Sequence, residues 1–255
     1  MPRSNPHLTV PSLPISPTTM RRRTLALTAA ALFATAAQAE APPRERIGAL
    51  DWDRHEVTIA AFARFAQATG FVSRAEREGG GFEYAGGWTR RAGWTWRTPE
   101  GRAPASDRLP AVHLSFDEAA AYCRWAGGRL PTAAEWDAAA YTEQRAQPPA
   151  PLQRGTTYAY PTGATPAGAN TSASDPWPSA SPAGATPAGV NGLQDMGANV
   201  WEWASDARGS GPDTERRTMG GSWWYGASQM QAGVNAWKPQ GFYAVYIGLR
   251  CVYPR

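Results

Sequence analysis

The sequence is poor in cysteine, histidine and lysine: its 255 residues include two cysteines, three histidines and one lysine, Lys238. Beyond residue 39 no apolar run reaches the roughly 18 residues of a transmembrane helix, which argues against a polytopic membrane protein. Apolar residues make up 42% of the chain and charged residues 18%, a balance that allows a buried core and is unlike that of disordered chains. We therefore expect one domain of about 200 residues, or two small ones.

The excess of positive charge lies at the N-terminus. Residues 1–39 contain four arginines and no acidic residue, so the formal charge of +4 for the whole chain falls to zero beyond them. Proteins that bind nucleic acids need a basic face. The neutral remainder therefore argues against nucleic-acid binding.

Residues 1–39 are predicted to be a secretory signal peptide. The arginines at 21–23 precede the apolar stretch 24–37, and the small residues Ala37 and Ala39 are typical of a cleavage site. The peptide starts either at Met20 or at Met1 with an unusually long charged region, and it fits both a twin-arginine and a general secretory signal. An uncleaved N-terminal anchor is the alternative. We expect a periplasmic or secreted protein in which residues 40–46 form a short leader.

Export changes the interpretation of the two cysteines, Cys123 and Cys251. In an oxidising compartment an even cysteine count favours a disulfide. The alternative is a metal site with two thiolate ligands.

Local signals predict few helices and much loop. Thr58 is predicted to cap a helix over residues 59–69 that Gly70 ends. Residues 115–118 (SFDE) and 132–135 (TAAE) are capping boxes that open two more helices. We interpret the glycine- and tryptophan-rich residues 79–104 and the proline-rich residues 146–190 as loops, and residues 192–255 as short strands and turns. The pattern favours the α+β class.

Four motifs follow one another along the chain: residues 112–136 (VHLSFDEAAAYCRWAGGRLPTAAEW), 192–203 (GLQDMGANVWEW), 220–223 (GGSW) and 248–251 (GLRC). Together they resemble the formylglycine-generating enzyme (sulfatase-modifying factor) superfamily over about residues 47–253. Within it, residues 75–81 and 221–228 resemble NirV-like proteins, which are associated with copper nitrite reductases.

The resemblance implies a single domain over residues 47–255 with little regular secondary structure, related to the C-type lectin fold. It also implies that Cys123 and Cys251 form a structural disulfide. This agrees with the argument from export.

Formylglycine-generating enzymes oxidise a substrate cysteine with oxygen, using copper(I) held by a second cysteine pair. Counted without gaps from residues 220–222, we place that pair at Met230 and Asn235. A thioether and an amide cannot replace two thiolates at copper(I), so we expect neither this chemistry nor a copper cofactor, although Met230 and Met219 leave open a weak copper site. Iron held by histidines, as in other superfamily members, is disfavoured because His55 and His113 lack ligand spacing.

A structural calcium ion is the cofactor that the resemblance favours. Carried over position by position, its ligands are the side chains of Asp195 and Glu202 and the main-chain carbonyls of Ala198 and Val200, an oxygen-rich set that suits calcium. The alternative is that Glu202 pairs with an arginine while Asp195 caps a turn. The resemblance also implies a second calcium site involving Asn170, Thr171 and Asp175.

The family's substrate groove corresponds to an aromatic segment near the GGSW motif. Its candidate residues are Trp223, Trp224, Tyr225, Met230, Asn235 and Trp237. Lys238 adjoins them; a desolvated lysine can act as a base or nucleophile, whereas an isolated one is more often a surface residue. Adjacent aromatic residues also commonly build a core, which is the alternative interpretation here.

Two functions are compatible with these sequence features. The first is an accessory or maturation factor that binds a protein or peptide partner, such as a copper nitrite reductase. The alternative is an oxidoreductase of altered chemistry acting on a peptide or small molecule. The absence of the family's second cysteine pair favours the accessory role.

Overall fold

The computed structural model describes residues 43–172 and 175–255. The predicted signal peptide lies outside this part of the chain. In order, the helices and strands within it are β1 (Arg44–Ile47), β2 (Leu50–Asp53), α1 (Ile59–Thr69), α2 (Arg74–Arg77), β3 (Gly80–Tyr84), β4 (Trp88–Ala92), α3 (Phe116–Trp125), α4 (Ala133–Tyr141), β5 (Trp201–Arg208), β6 (Glu215–Met219), β7 (Asn235–Pro239), β8 (Ile247–Gly248) and β9 (Val252–Pro254). Short 3₁₀ turns lie at Val190–Gly192, Gly211–Asp213 and Ala227–Met230.

The helices begin where their caps predict. The Thr58 hydroxyl accepts a hydrogen bond from the Ala61 amide at the start of α1, and Gly70 ends the helix with a φ of 66°. At α4 the Glu135 carboxylate accepts from the Thr132 amide, and the Thr132 hydroxyl accepts from the Glu135 amide. The predicted helices are therefore confirmed.

The start of α3 departs in one detail from the predicted capping box. The Glu118 carboxylate accepts from both the amide and the hydroxyl of Ser115, and its other oxygen accepts from the Arg74 amide. Glu118 therefore joins α2 to α3 as well as closing its own helix turn.

Three small sheets surround the helices. β2 lies between β1 and β9, β3 pairs with β4 in a hairpin, and the largest sheet has the order β7-β6-β5-β8. β5 and β8 are parallel, whereas the other pairs are antiparallel. This mixture confirms the α+β class.

Two segments differ from the sequence-based expectation. Residues 44–46, assigned to a loose leader, belong to β1 and pair with β2. The segment 79–104, expected to be irregular, contains the β3–β4 hairpin, in which Tyr84 pairs with Trp88 beside the turn. β1, β3 and β4 are each only four or five residues long, and the glycines of β3 made the hairpin resemble a loop in the sequence.

The core forms around aromatic side chains and a disulfide. Phe62 on α1 lies 5.0 Å from Trp96 and 5.5 Å from Tyr122 on α3, measured between ring centroids. Cys123 on α3 and Cys251 just before β9 are fully buried and form a disulfide, as predicted. The disulfide therefore fastens a central helix to the final strand.

None of the helices within residues 43–172 and 175–255 combines the length and the apolar character needed to cross a bilayer.

Candidate functional site

A cluster of buried charges, which we call the buried charge centre, consists of Glu56, Asp195, Glu202 and Arg250. The Arg250 guanidinium donates to both oxygens of Glu202, and also to the main-chain carbonyls of Asp53 and Gln194. The Trp136 indole N–H donates to Glu202 as well, at 2.8 Å. Arg250 and Glu202 form a salt bridge with no solvent exposure of the guanidinium.

Negative charge exceeds positive charge in this centre. Burial raises the pKa of Glu202 and of Asp195, and burial together with the charges of Asp195 and Glu202 raises that of Glu56 well above its usual range. Arg250 partly opposes each of these shifts. Three carboxylates facing one guanidinium therefore need either a proton or a further cation.

The loop before β5 contains three of the predicted calcium ligands, Asp195, Ala198 and Val200, and the fourth, Glu202, lies on β5. Asp195, Ala198 and Asn199 all have positive φ angles, of 52°, 66° and 47°. Such angles are uncommon in residues other than glycine, so the surrounding structure must hold this loop in place. Asp195 accepts hydrogen bonds from the Thr186 hydroxyl and the Gly184 amide.

These residues fit a hard cation by charge, although calcium would share oxygens already engaged in hydrogen bonds. A carboxylate oxygen has two lone pairs, so an N–H or O–H partner does not exclude a metal. Close by, the Oδ1 atom of Asn170 is buried without a donor among the described residues. Asn170 belongs to the predicted second site, whereas both oxygens of Asp175 accept amide hydrogens, from Thr171 and Trp177.

Asn199 connects this loop to three other segments. Its side-chain amide donates to Glu56, and its Oδ1 atom accepts from Asn170 and from the Ser181 amide. Its carbonyl accepts from the Trp223 amide at 2.8 Å. Asn199 and Glu56 were absent from the predicted site because their partners are distant in sequence. The position of Asn199 within the motif of residues 192–203 was a local signal that could have included it.

Trp177 lines three neighbouring cavities, with volumes of about 420, 490 and 480 Å³, and Trp223 lines the first two. We call the three cavities together the trough. The first two cavities share Trp177, Pro178 and Trp223. The second and third share Thr171, Asp175 and Trp177. Prolines line the first cavity at five positions: 99, 104, 110, 178 and 182.

The structure separates the six predicted groove residues. Trp223 and Trp224 line the trough. Tyr225 packs beside them, with its ring 6.0 Å from Trp201.

The other three groove candidates lie elsewhere. Met230 is buried with Ala169 and Ala198. Asn235 lies on β7 and Trp237 stands between the guanidinium groups of two arginines, 208 and 217, at 4.7 and 4.8 Å. Of the six predicted groove residues, only Trp223 and Trp224 line the cavities of the trough.

The remaining polar candidates serve the fold. His55 and His113 donate ring hydrogens to the carbonyls of Glu56 and Pro99, each over 2.9 Å. Burial lowers the pKa of His113 to about 4. Within the described residues no three His, Cys, Asp or Glu side chains form a metal-binding group, and the sequence has no thiol outside the disulfide. A copper(I) site of two thiolates does not fit this chain.

A family profile described as "Sulfatase-modifying factor enzyme 1-like domain" matches residues 16–254. The chain belongs to this family. The resemblance drawn from the four motifs is thus confirmed at family level, and with it the family's fold.

Several curated members of the sulfatase-modifying factor family are similar to the chain. The formylglycine-generating enzyme of Streptomyces coelicolor is 35% identical over 187 residues, 60% of this chain and 56% of that protein. The mouse protein named "Inactive C-alpha-formylglycine-generating enzyme 2" is 39% identical over 148 residues, which cover 50% and 43% of the two chains. Hercynine oxygenase of Mycolicibacterium thermoresistibile is 28% identical over 250 residues, 80% of this chain and 54% of that one. The chain thus matches only about half the length of these relatives.

Two solved structures share the fold. PvdO from Pseudomonas aeruginosa superposes with a TM-score of 0.60 at 19% identity, covering 81% of this chain and 80% of its own. CarF superposes with a TM-score of 0.56 at 20% identity, covering 81% and 86%. These likenesses concern the fold alone.

Proposed function

We propose that this sulfatase-modifying-factor protein is an exported accessory or maturation factor that binds an extended polypeptide segment in the trough. The observation that carries the proposal is that both cysteines are buried in one disulfide, so that the chain has no free thiol. The trough, in contrast, is open and lined by tryptophans. A binding surface thus persists where the thiolate chemistry of the family has no residues to perform it.

The lining of the trough suits a chain in extended conformation. Aromatic side chains and prolines present flat apolar surfaces, and aromatic-lined grooves bind polyproline-type segments in many recognition domains. The cavities of the trough adjoin one another at Trp177, and we propose that an extended ligand occupies more than one of them.

A copper nitrite reductase is the partner that we propose. The support is the resemblance of residues 75–81 and 221–228 to NirV-like proteins and the predicted export, which would place both proteins in the periplasm. Binding of a maturing partner needs no redox group in this chain.

The test is binding of purified copper nitrite reductase, before and after metal loading, to the wild-type protein by calorimetry. Trp224→Ala removes an exposed ring that lines the trough, and Trp125→Ala removes a similarly exposed ring on α3; the two side chains are 40% and 43% exposed. We expect the first variant to weaken binding at least tenfold and the second to leave it unchanged. Equal binding by both variants would refute the role of the trough.

An oxidoreductase of altered chemistry is the second candidate. It is favoured by the similarity to a hercynine oxygenase over 80% of this chain. Oxygen consumption is measured with cysteine-containing peptides and small thiols after loading with iron or copper. Turnover that survives in Trp125→Ala and disappears in Trp224→Ala would establish an enzyme at the trough and displace the accessory role.

We also propose that calcium binds at the predicted first site, formed by the side chains of Asp195 and Glu202 and the main-chain carbonyls of Ala198 and Val200. Support comes from the excess negative charge of the buried charge centre. Calcium there would neutralise charge and fix the loop that positions Trp223.

A further inference from the structure

A series of contacting aromatic side chains, one of which (Tyr246) is fully buried, extends from the trough to the tip of the β3–β4 hairpin. Starting at Trp224, which lines the trough, the ring centroids lie 6.2 Å apart from Trp224 to Tyr246, 5.8 Å from Tyr246 to Trp88 and 5.5 Å from Trp88 to Tyr84. Phe242 supports Trp88 from the side at 4.6 Å. We call these five residues the aromatic track. Trp224, Trp88 and Tyr84 are 40–43% exposed, so a ligand can reach their rings.

Lys238 lies beside the track. It is on β7 opposite Arg216, and its ammonium is 5.8 Å from the centroid of the Trp88 ring. The side chain is half-buried, and burial lowers its pKa. Among the described residues no carboxylate lies within 4.0 Å of the ammonium and no side chain or carbonyl accepts a hydrogen bond from it.

The arginines of the neighbouring hairpin region differ from Lys238 in this respect. Arg74 and Arg90 both pair with Glu78, and Arg91 pairs with Glu83. A partly desolvated ammonium without a counter-charge is unfavourable unless an anion is supplied from elsewhere. The aromatic rings strengthen such an interaction, because they exclude water and lower the local dielectric.

We propose that Lys238 binds the carboxylate of an acidic side chain in the polypeptide that occupies the trough and the aromatic track. This rests on the proposed function and narrows it: the ligand carries Asp or Glu next to residues that stack on Trp88 and Trp224. A membrane surface is less suited, because recognition of anionic lipids uses clusters of basic residues, whereas the basic hairpin side chains are already paired.

The single lysine makes the test specific. Incorporation of lysine labelled with ¹³C at Cε gives one resonance, from Lys238. The probes are three blocked tripeptides that differ at one position: acetyl-Trp-Asp-Pro-amide, acetyl-Trp-Asn-Pro-amide and acetyl-Trp-Lys-Pro-amide. We expect the Asp peptide to shift the resonance, to raise the pKa of Lys238, and to bind about tenfold more tightly than the Asn peptide; the Lys peptide should bind most weakly.

Two variants separate this inference from the proposed function. Lys238→Met should abolish the preference for Asp over Asn, whereas Lys238→Arg should restore it. Trp224→Ala should weaken all three peptides. If the wild-type protein binds no tripeptide, the peptide-binding trough is wrong; if it binds the Asp and Asn peptides equally, only the role of Lys238 is wrong.

Sedimentation with phosphatidylserine vesicles tests whether Lys238 binds an anionic membrane surface instead of a polypeptide. We expect no binding above that to neutral phosphatidylcholine vesicles. Binding to the anionic vesicles that Lys238→Met removes would overturn the polypeptide ligand in favour of a lipid surface.

Discussion

Arg250 and Lys238 are two cationic side chains of the same domain that differ in burial and in hydrogen-bond partners. Arg250 has no exposed surface and donates to Glu202 and to two main-chain carbonyls. Lys238 is half-buried beside an exposed aromatic ring and has no acceptor among the described residues. The Arg250 guanidinium finds its counter-charge and its hydrogen-bond acceptors within the chain. For Lys238 we propose that a bound ligand supplies the counter-charge.

This difference separates side chains that hold the fold from side chains that serve recognition. Removing one partner from a complete buried network leaves the other charge uncompensated and destabilises the protein. Removing a charge that has no internal partner leaves the fold nearly unchanged. Measurements of protein stability alone can therefore test whether Arg250 and Lys238 differ in this way.

The largest effect is expected for Arg250→Met. It leaves the buried Glu202 carboxylate without its guanidinium, and we expect a loss of about 3–5 kcal/mol in the free energy of unfolding in urea. Arg46→Met is the control, since its pair with Asp51 is exposed and should contribute about 1 kcal/mol or less. Similar losses in the two variants would contradict the structural role of Arg250.

Removal of the disulfide is expected to have the second-largest effect on stability. Replacing Cys123 and Cys251 together by alanine should lower the free energy of unfolding by about 2–5 kcal/mol, because the bond closes a loop with a sequence separation of 128. The measurement is urea unfolding of the double variant against the oxidised wild type. A double variant as stable as the wild type would show that the buried contacts around α3 suffice alone.

A third prediction concerns pH. Burial raises the pKa of Asp53 from 3.8 to about 6, so its contribution to stability is complete below pH 3.8 and is lost as the pH rises through 6. His113, with a pKa lowered from 6.5 to about 4, contributes with the opposite sign across an overlapping window. The contributions of Asp53 and His113 therefore oppose each other between pH 4 and pH 6.

The Asp53→Asn variant removes the contribution of Asp53 to the pH dependence of stability and keeps that of His113. Its stability relative to the wild type should rise from pH 4 to pH 7 by at most about 3 kcal/mol, the equivalent of about two pKa units. Urea unfolding at four pH values measures this difference. A constant difference would mean that Asp53 ionises at its ordinary pKa.

Calcium should raise the melting temperature by several degrees at concentrations far above its dissociation constant, and a chelator should reverse the rise. Asp195→Asn should reduce the shift, whereas Asp213→Asn, on an exposed turn, should not. Magnesium serves as the ion control. A shift that is equal for both variants would place the ion outside the loop of residues 195–200.

The smallest effect is expected for Lys238→Met. Lys238 has no counter-charge to lose and only the contact with the Trp88 ring, so the free energy of unfolding should change by about 1 kcal/mol or less. Thermal and urea unfolding measure it. A loss comparable to that of Arg250→Met would show that the ammonium is engaged within the fold, and the contrast between the two cations would disappear.

Sequence reasoning succeeded where the signal is local. The caps of α1 and α4 depend on residues three positions apart, and the cysteine pair was the only disulfide available. It missed the β3–β4 hairpin because glycines usually indicate loops. A Cβ atom on Gly80 would lie 2.0 Å from the Arg91 carbonyl oxygen, and one on Gly81 would lie 2.1 Å from the His113 ring. These glycines mark close packing rather than a flexible connection.

The candidate site was predictable only in part. The motif around residues 192–203 identified Asp195 and Glu202, but nothing local pairs Glu202 with Arg250 or Glu56 with Asn199, which are 48 and 143 positions apart. The trough likewise depends on Trp177, from a proline-rich segment without periodicity. Long-range polar contacts of this kind require the tertiary structure.

The central strand β2 pairs with β1 on one side and β9 on the other, and the Tyr253 hydroxyl reaches Asp53 across a separation of 200 residues. A nascent chain therefore exposes one unpaired edge of β2 until β9 has been synthesised. Arg250, Cys251 and β9 are adjacent in sequence, so the charge network, the cross-link and the sheet all depend on the same short segment. We expect little protection of β2 in stalled intermediates that lack residues 250–254.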